Sequence, residues 1–297
     1  MSSPLPVSTV KALWRAMRPH QWIKNVLVLL PMLAGHRFTL PVLLASGYAF
    51  AAFSLAASAG YLVNDACDAA SDRDDLEKRH RPIAAGLLTR STALAVALIL
   101  AIGAGAIAIA VSANLFLVVV LYLAASCIYT MLLKRVVLLD VFTLAGFYVA
   151  RILAGGAATG IVLSEWLLGF SLMAFLALAL VKRYGELTLC AHNGRSPSAN
   201  RGYQLADAPL IGAVAAGAGF SAVTVFGIYV TSGPVRELYS RPMILLFAAP
   251  VLVFAVCRLL LMAHRGQLKG DPIIAAAADQ TSWFCLLGLV AIFAAAY

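Results

Sequence analysis

The sequence is poor in charged residues. Only 12% of its 297 residues are charged, whereas an ordinary soluble domain carries roughly 25%. A soluble core of this size would need far more polar surface to cover it, so a water-soluble globular domain is excluded. The shortage of charge therefore predicts a protein that lies mostly within a lipid bilayer.

Cysteine and histidine are too few and too scattered to predict a metal or redox centre. The five cysteines form no C-x-x-C pair, and the five histidines show no ligand spacing. We expect the cysteines to be small packing residues within helices. No nucleophile–base pair is apparent either. We expect no cleavable signal peptide, because the first apolar run follows a basic segment and lacks a small-residue cleavage site.

What the sequence has in quantity is apolar residues, which make up 62% of it. They fall in repeated stretches of about 18 to 22 residues, each long enough to cross the ~30 Å hydrocarbon layer as a helix. The predicted fold class is an all-α integral membrane protein, a nine-transmembrane-helix bundle forming a single domain over residues 1–297. The first span is short and is interrupted by Pro31. The predicted spans are 23–35, 41–63, 92–111, 114–132, 139–160, 165–181, 208–231, 242–262 and 279–297.

The basic residues indicate the orientation of the chain. They concentrate in alternate connections, including the long loops at 64–91 and 182–207, while the opposite side has only Arg37, Arg236 and Arg241. By the positive-inside rule, the N-terminus and both long loops are cytosolic and the C-terminus is outside. Topology thus explains the net charge of +9, and nucleic acid is not an expected partner. Residues 1–20 are expected to form an interfacial helix with one apolar and one basic face.

The segment 64–73, N-D-A-C-D-A-A-S-D-R, is the strongest candidate site. On a helix, Asp65, Asp68 and Asp72 fall within about 100° of one another and present one oxygen-rich face. Mg²⁺ offsets the repulsion between such carboxylates, since it binds one or two of them together with water and substrate phosphate. The alternative is a solvated acidic helix end, but six of the 13 acidic residues lie between 65 and 77. The pattern therefore predicts a Mg²⁺ site that holds a diphosphate.

Basic residues follow this acidic segment directly. Lysine supplies a point charge and arginine a fork that grips two phosphate oxygens. Next to the aspartates, Lys78, Arg79 and Arg81 are expected to combine phosphate binding with a second role as a positive-inside anchor.

Other charged candidates lie on later spans. Asp140 and Arg151 are eleven residues apart and share a helix face, and Arg151 would lie inside the bilayer, where an ionisable residue suggests a functional site. A structural Asp–Arg or Arg–carbonyl link is the alternative for this pair. The remaining candidates are Lys24, Lys134, Lys182, Arg183 and Glu186. Anchoring at the membrane interface is the alternative for Lys24, and a purely topological charge is the alternative for Lys134.

These motifs resemble the UbiA superfamily of membrane prenyltransferases. N-D-x-x-D-x-x-x-D is similar to its first Asp-rich signature, and nine helices with cytosolic Asp-rich loops are its architecture. Within it, R-P-H-Q-W-I-K-N-V-L-V at 18–28 is similar to the start of the decaprenyl-phosphate phosphoribosyltransferase branch. So are D-R-x-x-x-x-K-R-x-R-P-I-A-A-G at 72–86, R-I-L-A-G-G at 151–156 and K-R-Y-G-E-L at 182–187. One departure from the prenyl-transferring relatives also fits this branch, because a second Asp-rich motif is reduced to Asp140, followed by Thr143 and Leu144.

The resemblance implies an activity. The donor would be 5-phosphoribosyl diphosphate, the acceptor a polyprenyl (decaprenyl) phosphate and the cofactor Mg²⁺. The product would be a precursor of activated arabinofuranose for cell-envelope glycans, made at the cytosolic face of a bacterial inner (plasma) membrane. A homo-oligomer is left open.

The resemblance also implies roles for residues. Asp65, Asp68 and Asp72 would hold Mg²⁺ with Asn64 beside them, and Asp140 is a further catalytic candidate. The basic residues expected to bind the leaving diphosphate and the 5-phosphate are Arg73, Lys78, Arg79 and Arg81. The candidates for contact with the lipid phosphate are Lys24, Lys134, Arg151, Lys182 and Arg183, and Glu186 is expected to line the same substrate site.

Two other functions compete with this one. A UbiA-type prenyltransferase would use the same aspartates to move an isoprenoid from its diphosphate to an aromatic or other acceptor. A transporter or lipid-binding protein without catalysis would instead need charges along a path through the membrane midplane on several helices. Only Arg151 is a clear candidate for such depth.

Overall fold

The computed structural model describes residues 9–75, 78–197, 201–268, 270 and 272–297. Within them every regular element is helical, as predicted. The α-helices are α1 (Thr9–Met17), α2 (Leu30–Ala34), α3 (Leu40–Asp74), α4 (Arg90–Val111), α5 (Ala113–Met131), α6 (Leu139–Thr159), α7 (Glu165–His192), α8 (Ala208–Thr231), α9 (Gly233–Leu238), α10 (Ala248–His264), α11 (Pro272–Ala278) and α12 (Gln280–Ala296). Short 3₁₀ segments lie at Pro19–Leu29, Lys78–His80, Leu133–Arg135, Leu205–Asp207 and Pro242–Phe247.

Seven helices of the described chain are long and apolar enough to cross a bilayer, and they correspond to seven of the nine predicted spans. Helix α12 matches the last predicted span but has 17 residues. The protein is therefore a multi-pass integral membrane protein. The seven helices are Leu40–Asp74, Arg90–Val111, Ala113–Met131, Leu139–Thr159, Glu165–His192, Leu205–Thr231 and Pro242–His264.

The first predicted span, 23–35, is not one continuous α-helix. The chain forms a 3₁₀ segment over Pro19–Leu29, and the short helix α2 follows it. Proline lacks a backbone N–H, and Pro19 and Pro31 each lie in the first turn of one of these two pieces, where that group is not needed. A helix is present within the predicted segment 1–20 as α1, and its place at the membrane interface stays a prediction; residues 1–8 lie outside the described chain.

Helices α3 and α7 run past their predicted ends. Helix α3 continues to Asp74 rather than residue 63, and α7 continues to His192 rather than residue 181. With 35 residues, α3 is about 52 Å long, well beyond the ~30 Å hydrocarbon layer. The stretch after residue 63 has no proline or glycine and contains strong helix formers such as Ala66 and Ala69. The start of each predicted loop is therefore helical.

Contacts divide the chain into two compact units. The first comprises Met1–Leu133 and Ala150–Val162, and the second Lys134–Val149 and Leu163–Tyr297. In the first unit, α1, α3 and α4 pack through small side chains, which let helix backbones approach closely. The members of this buried cluster are Ala16, Ala59, Leu62, Ala66, Ala69, Ile83, Leu88, Ala93 and Ala97. In the second unit, a cluster between α8, α10 and α12 includes Phe226, Val230, Leu245, Ala248 and Ala296.

Gly155 on α6 marks a close backbone approach within the first unit. A Cβ atom added to it would lie 2.0 Å from the carbonyl oxygen of Val28 and 3.0 Å from the ring of Pro31. We expect Gly155→Ala to destabilise the protein by about 1–3 kcal/mol or more, because neither backbone nor a proline ring yields easily. Thermal unfolding in detergent measures the effect.

Gly146→Ala on the same helix is the matched control. A Cβ atom there meets nothing within 4 Å, so alanine should be neutral or slightly stabilising. Equal thermal stability of the two variants would contradict the close approach at Gly155.

Candidate functional site

Two aspartates near the end of α3 form a buried acidic pair. Asp65 and Asp72 are seven residues apart, which is nearly two helical turns, so they share one face. Both are buried, with 2% and 3% exposure. Nη1 of Arg81 donates to both, at 3.1 Å to Asp65 Oδ1 and 2.8 Å to Asp72 Oδ2. One guanidinium nitrogen thus holds the two carboxylates close together.

A second arginine reaches Asp65 from the N-terminal arm. Nη2 of Arg18 donates to Oδ1 at 2.6 Å and to Oδ2 at 2.8 Å, and its guanidinium lies 5.0 Å from the ring centroid of Tyr61. Arg18 joins α1 to the following 3₁₀ segment in a left-handed conformation, with φ 55°. Ser58 on α3 secures this junction, since its hydroxyl donates to the Met17 carbonyl at 3.0 Å.

The segment after α3 folds back onto that helix and so brings Arg81 to the aspartates. Ile83 and Leu88 are buried against α3 and α4. Nε of Arg73 donates to the Ala84 carbonyl at 3.3 Å, and Nε of Arg90 donates to the Ala66 carbonyl at 2.8 Å. These contacts position the loop that is expected to bind phosphate.

A cavity of about 570 Å³ opens beside Asp65. Three arginines and two histidines outnumber its single carboxylate. Partial burial, followed by the positive charges of Arg18 and Lys24, lowers the pKa of His20 below its ordinary value. The three arginines alone already outnumber the carboxylate. The cavity is lined by Trp14, Arg15, Arg18, Pro19, His20, Asp65, His80, Arg81 and Pro82.

Two neighbouring carboxylates are the kind of ligand set that a magnesium ion shared with a phosphate substrate uses. Mg²⁺ keeps several waters and typically uses one or two carboxylates together with phosphate oxygens. Asp65 and Asp72 supply two carboxylates on one face, held by a common nitrogen. Within the described residues, no three histidine, cysteine or acidic side chains converge as a metal cage. Asp68 is half-buried, and its role as a third ligand stays a prediction.

The second unit contains its own buried ionic network, centred on Asp140 at the start of α6. Asp140 is fully buried and pairs with Arg183 of α7, which is 2% exposed and also pairs with Glu186. The hydroxyl of Tyr203 donates to Asp140 Oδ1 at 2.6 Å and accepts from the Leu138 N–H at 3.0 Å. Arg201 extends the network by donating to Glu186 at 3.3 Å.

This environment also changes the acidity of Tyr203. Burial, and then the hydrogen bond to Asp140, raises the pKa of Tyr203 to about 12. The phenol therefore remains a hydrogen-bond donor over the physiological pH range.

Arg151 lies in a polar network within the first unit. It is 4% exposed. Its Nε donates to Asn25 Oδ1 at 2.8 Å, and Asn25 donates to the Ser54 hydroxyl at 3.0 Å. Its guanidinium also lies 5.5 Å from the ring centroid of Tyr122. The Nε–H of this buried guanidinium is therefore hydrogen-bonded.

The other predicted residues occupy varied positions. Lys134 is buried, Lys24 and Lys182 are half-buried, and Arg79 is exposed. Lys78 pairs with Asp75 at 3.0 Å. Asn64 accepts from the Thr130 hydroxyl at 3.5 Å.

The sequence pattern undervalues three residues of these networks. In the sequence, Arg18 is marked only as one of the basic residues that indicate orientation and as the first residue of the segment 18–28. In the structure it binds Asp65 directly. Tyr203 and Arg201 follow α7 without a motif that marks them, and their partners are 63 and 15 residues away along the chain. Only Arg18 carries a usable signal, because it begins the quoted R-P-H-Q-W-I-K-N segment.

A model of the UbiA prenyltransferase family matches residues 26–187, more than half of the chain. The chain belongs to the UbiA prenyltransferase family. The matched stretch of this UbiA protein includes the acidic pair of the first unit, and also Asp140, Arg151 and Arg183. The family match and the apolar helices thus identify the protein as a membrane protein of that family.

Curated relatives of this UbiA protein fall into two groups. The nodulation protein NoeC of Azorhizobium caulinodans is 34% identical over 92% of this chain and 89% of its own length. Protein y4nM of Sinorhizobium fredii, described as uncharacterized, is 36% identical over 95% of this chain but 55% of its own. The decaprenyl-phosphate phosphoribosyltransferase of Mycobacterium tuberculosis is 40% identical over 64% of each chain. This chain therefore spans less than two thirds of the length of the last two relatives.

A solved structure agrees with the architecture. The UbiA homologue from Archaeoglobus fulgidus bound to DMAPP and Mg²⁺ has a TM-score of 0.69 and 13% identity, over 95% of this chain and 99% of the homologue. At such low identity the likeness shows the fold alone. It confirms the all-helical UbiA-like membrane fold.

Proposed function

We propose that this UbiA protein is a polyprenyl-phosphate phosphoribosyltransferase. It transfers 5-phosphoribose from phosphoribosyl diphosphate to a polyprenyl phosphate and releases diphosphate, with Mg²⁺ as cofactor. The observation that carries the proposal is the 40% identity over 196 residues to an enzyme named decaprenyl-phosphate phosphoribosyltransferase. The arginine-rich cavity beside Asp65 supports it, because this donor carries two anionic groups.

The donor diphosphate binds at the acidic pair in this proposal. Asp65 and Asp72 would hold Mg²⁺, and the ion would supply charge neutralisation of the leaving diphosphate. Arg18 and Arg81, which already contact these carboxylates, stabilise the charge that develops as the C1–O bond breaks. Other donor-binding residues are proposed on sequence grounds, namely Asn64, Asp68, Arg73, Lys78 and Arg79.

The acceptor needs little chemical activation. An oxygen of the lipid phosphate forms the new bond to C1 of the ribose as diphosphate leaves, and this phosphate is already anionic, so no strong general base is required. Asp140 is fully buried and pairs with Arg183 and Tyr203, and we assign it a positioning role towards Arg183. The alternative candidates to neutralise the lipid phosphate are Lys24, Lys134, Arg151, Lys182 or Arg183, and Glu186 orients the last of these.

The proposal includes the membrane arrangement. The chain works as one domain with nine membrane-crossing segments, counting residues 23–35 and α12, and its N-terminus and reaction site face the cytosol of a bacterial inner membrane. The distribution of basic residues supports this orientation. The phosphoribosylated lipid would serve the synthesis of arabinofuranose donors for cell-envelope glycans.

A second candidate is transfer of an isoprenoid from its diphosphate. The observation in its favour is that the structural homologue with a TM-score of 0.69 is bound to DMAPP and Mg²⁺. This activity would use the same acidic pair but would need an apolar path for the donor tail.

One transfer assay separates the two candidates. Purified protein in detergent is given Mg²⁺, radiolabelled phosphoribosyl diphosphate and polyprenyl phosphates of several lengths, and label in the lipid extract is counted. We expect Mg²⁺-dependent labelling of lipid that stops with EDTA. A parallel reaction uses labelled isoprenoid diphosphate with aromatic acceptors. Transfer in the parallel reaction alone would refute the phosphoribosyl assignment, and transfer in neither would favour a non-catalytic lipid-binding protein.

A further inference from the structure

The cavity beside Asp65 extends away from the acidic pair. Asp65 and Arg81 line it, but Asp72 does not. The rest of its wall comes mainly from the N-terminal arm, through Arg15 of α1 and the Arg18–His20 turn. A diphosphate held at Asp65 and Asp72 would therefore leave this cavity open to the remainder of the donor.

The charge of the wall selects against an apolar occupant. Arg15, Arg18 and Arg81 line the cavity together with a single carboxylate. An isoprenoid tail placed there would remove guanidinium groups from water without giving them a new hydrogen bond, which is costly. An anionic group would instead make charge-assisted hydrogen bonds. The volume of about 570 Å³ also lies in the range of small-molecule sites.

Arg18 is suited to bind two groups at once. Both of its hydrogen bonds to Asp65 come from the single nitrogen Nη2, and a guanidinium carries five N–H donors on three nitrogens. It can contact a phosphate while it remains with Asp65. Arg15 is exposed one turn earlier, at the end of α1.

We infer that this cavity is a phosphate-monoester subsite, in which Arg15 and Arg18 bind the 5-phosphate of the sugar donor. This deepens the proposed function and rests on it. The N-terminal arm thereby becomes a determinant of donor specificity, since an isoprenoid diphosphate has no second anionic group for it to bind. The same chemistry would suit the phosphate of the acceptor lipid, and the ligands of the test separate these two sources.

The test measures binding to the full-length protein in detergent with Mg²⁺, by isothermal titration calorimetry. The ligands are ribose 5-phosphate, inorganic diphosphate and geranyl phosphate. We expect Arg15→Gln to weaken ribose 5-phosphate binding about 10-fold or more, the usual loss for a charge-assisted hydrogen bond. Diphosphate and geranyl phosphate should stay within about twofold of wild type. Arg18→Lys, which keeps the charge but loses the fork, should weaken both ribose 5-phosphate and diphosphate, because Arg18 also pairs with Asp65.

Lys11→Gln is the matched control, because Lys11 is an exposed basic residue on α1 that does not line the cavity. It should leave all three affinities unchanged. The inference is overturned if wild type does not bind ribose 5-phosphate, if Arg15→Gln weakens diphosphate equally, or if it weakens only geranyl phosphate. The transfer assay is read separately. Phosphoribosyl transfer by a protein whose ribose 5-phosphate affinity is insensitive to Arg15 defeats the subsite alone, whereas Arg15-dependent binding without transfer defeats the proposed activity alone.

Discussion

Asp72→Asn should lower the rate of phosphoribosyl transfer by about 100-fold or more. The substitution removes one of two buried carboxylates that share Nη1 of Arg81 and are proposed to hold Mg²⁺ against the donor. Removing a single preorganised electrostatic contact to a developing charge typically costs roughly 10²–10³-fold in rate. The measurement is transfer rate against Mg²⁺ concentration, which should also show a higher Mg²⁺ requirement.

Asp74→Asn is the control for this substitution. It makes the same chemical change two residues later on α3, at an exposed position that points to a different side of the helix. Activity close to wild type is expected. If Asp72→Asn retained full activity at limiting Mg²⁺, or if both variants lost activity equally, the acidic pair would not be the metal site.

Arg183→Gln should destabilise the protein by about 3–5 kcal/mol. Arg183 is 2% exposed and pairs with the fully buried Asp140, so its loss leaves a buried carboxylate without its cation. The Tyr203 hydroxyl still donates to Asp140, but one neutral hydrogen bond does not replace a guanidinium. The measurement is unfolding of the purified protein by heat or by a denaturing detergent.

Two further variants test the cause of this destabilisation. Arg195→Gln changes an exposed arginine just beyond α7 and should be neutral within about 0.5 kcal/mol. The double variant Asp140→Asn with Arg183→Gln should recover part of the loss, because it removes both charges of the pair. An Arg183→Gln protein as stable as Arg195→Gln would show that the buried pair does not stabilise this unit.

The elements that could be predicted from the sequence are those that depend on residues close together along the chain. Apolar stretches such as those of α4 and α8 need only length and composition to be recognised, because lipid forces their backbones into helices. The end of α3 is harder to predict, since alanines such as Ala66 and Ala69 continue the helix beyond residue 63, where the predicted span ends. The 19–34 segment has the hydropathy of a span, but its prolines divide it into two pieces.

The site residues also divide into those placed by nearby residues of the chain and those placed by distant ones. The spacing of Asp65 and Asp72 is local, so the geometry of a single helix is enough to place them on one face. The pairing of Arg18 with Asp65 joins residues 47 apart, and that of Tyr203 with Asp140 joins residues 63 apart. Such pairs depend on how helices and loops pack, for which one sequence gives no periodic signal.

The length of α3 limits the insertions and deletions that the protein can tolerate. Ser54, which accepts from Asn25, and the acidic pair Asp65 and Asp72 lie on one uninterrupted helix. Each residue turns such a helix by about 100°. An insertion or deletion of one residue between Ser54 and Asp65 would therefore turn both carboxylates away from Arg18, which precedes the change in the chain. The number of residues between Ser54 and Asp65 therefore sets the direction of the two carboxylates around the helix axis, and it matters as much as the identity of those residues.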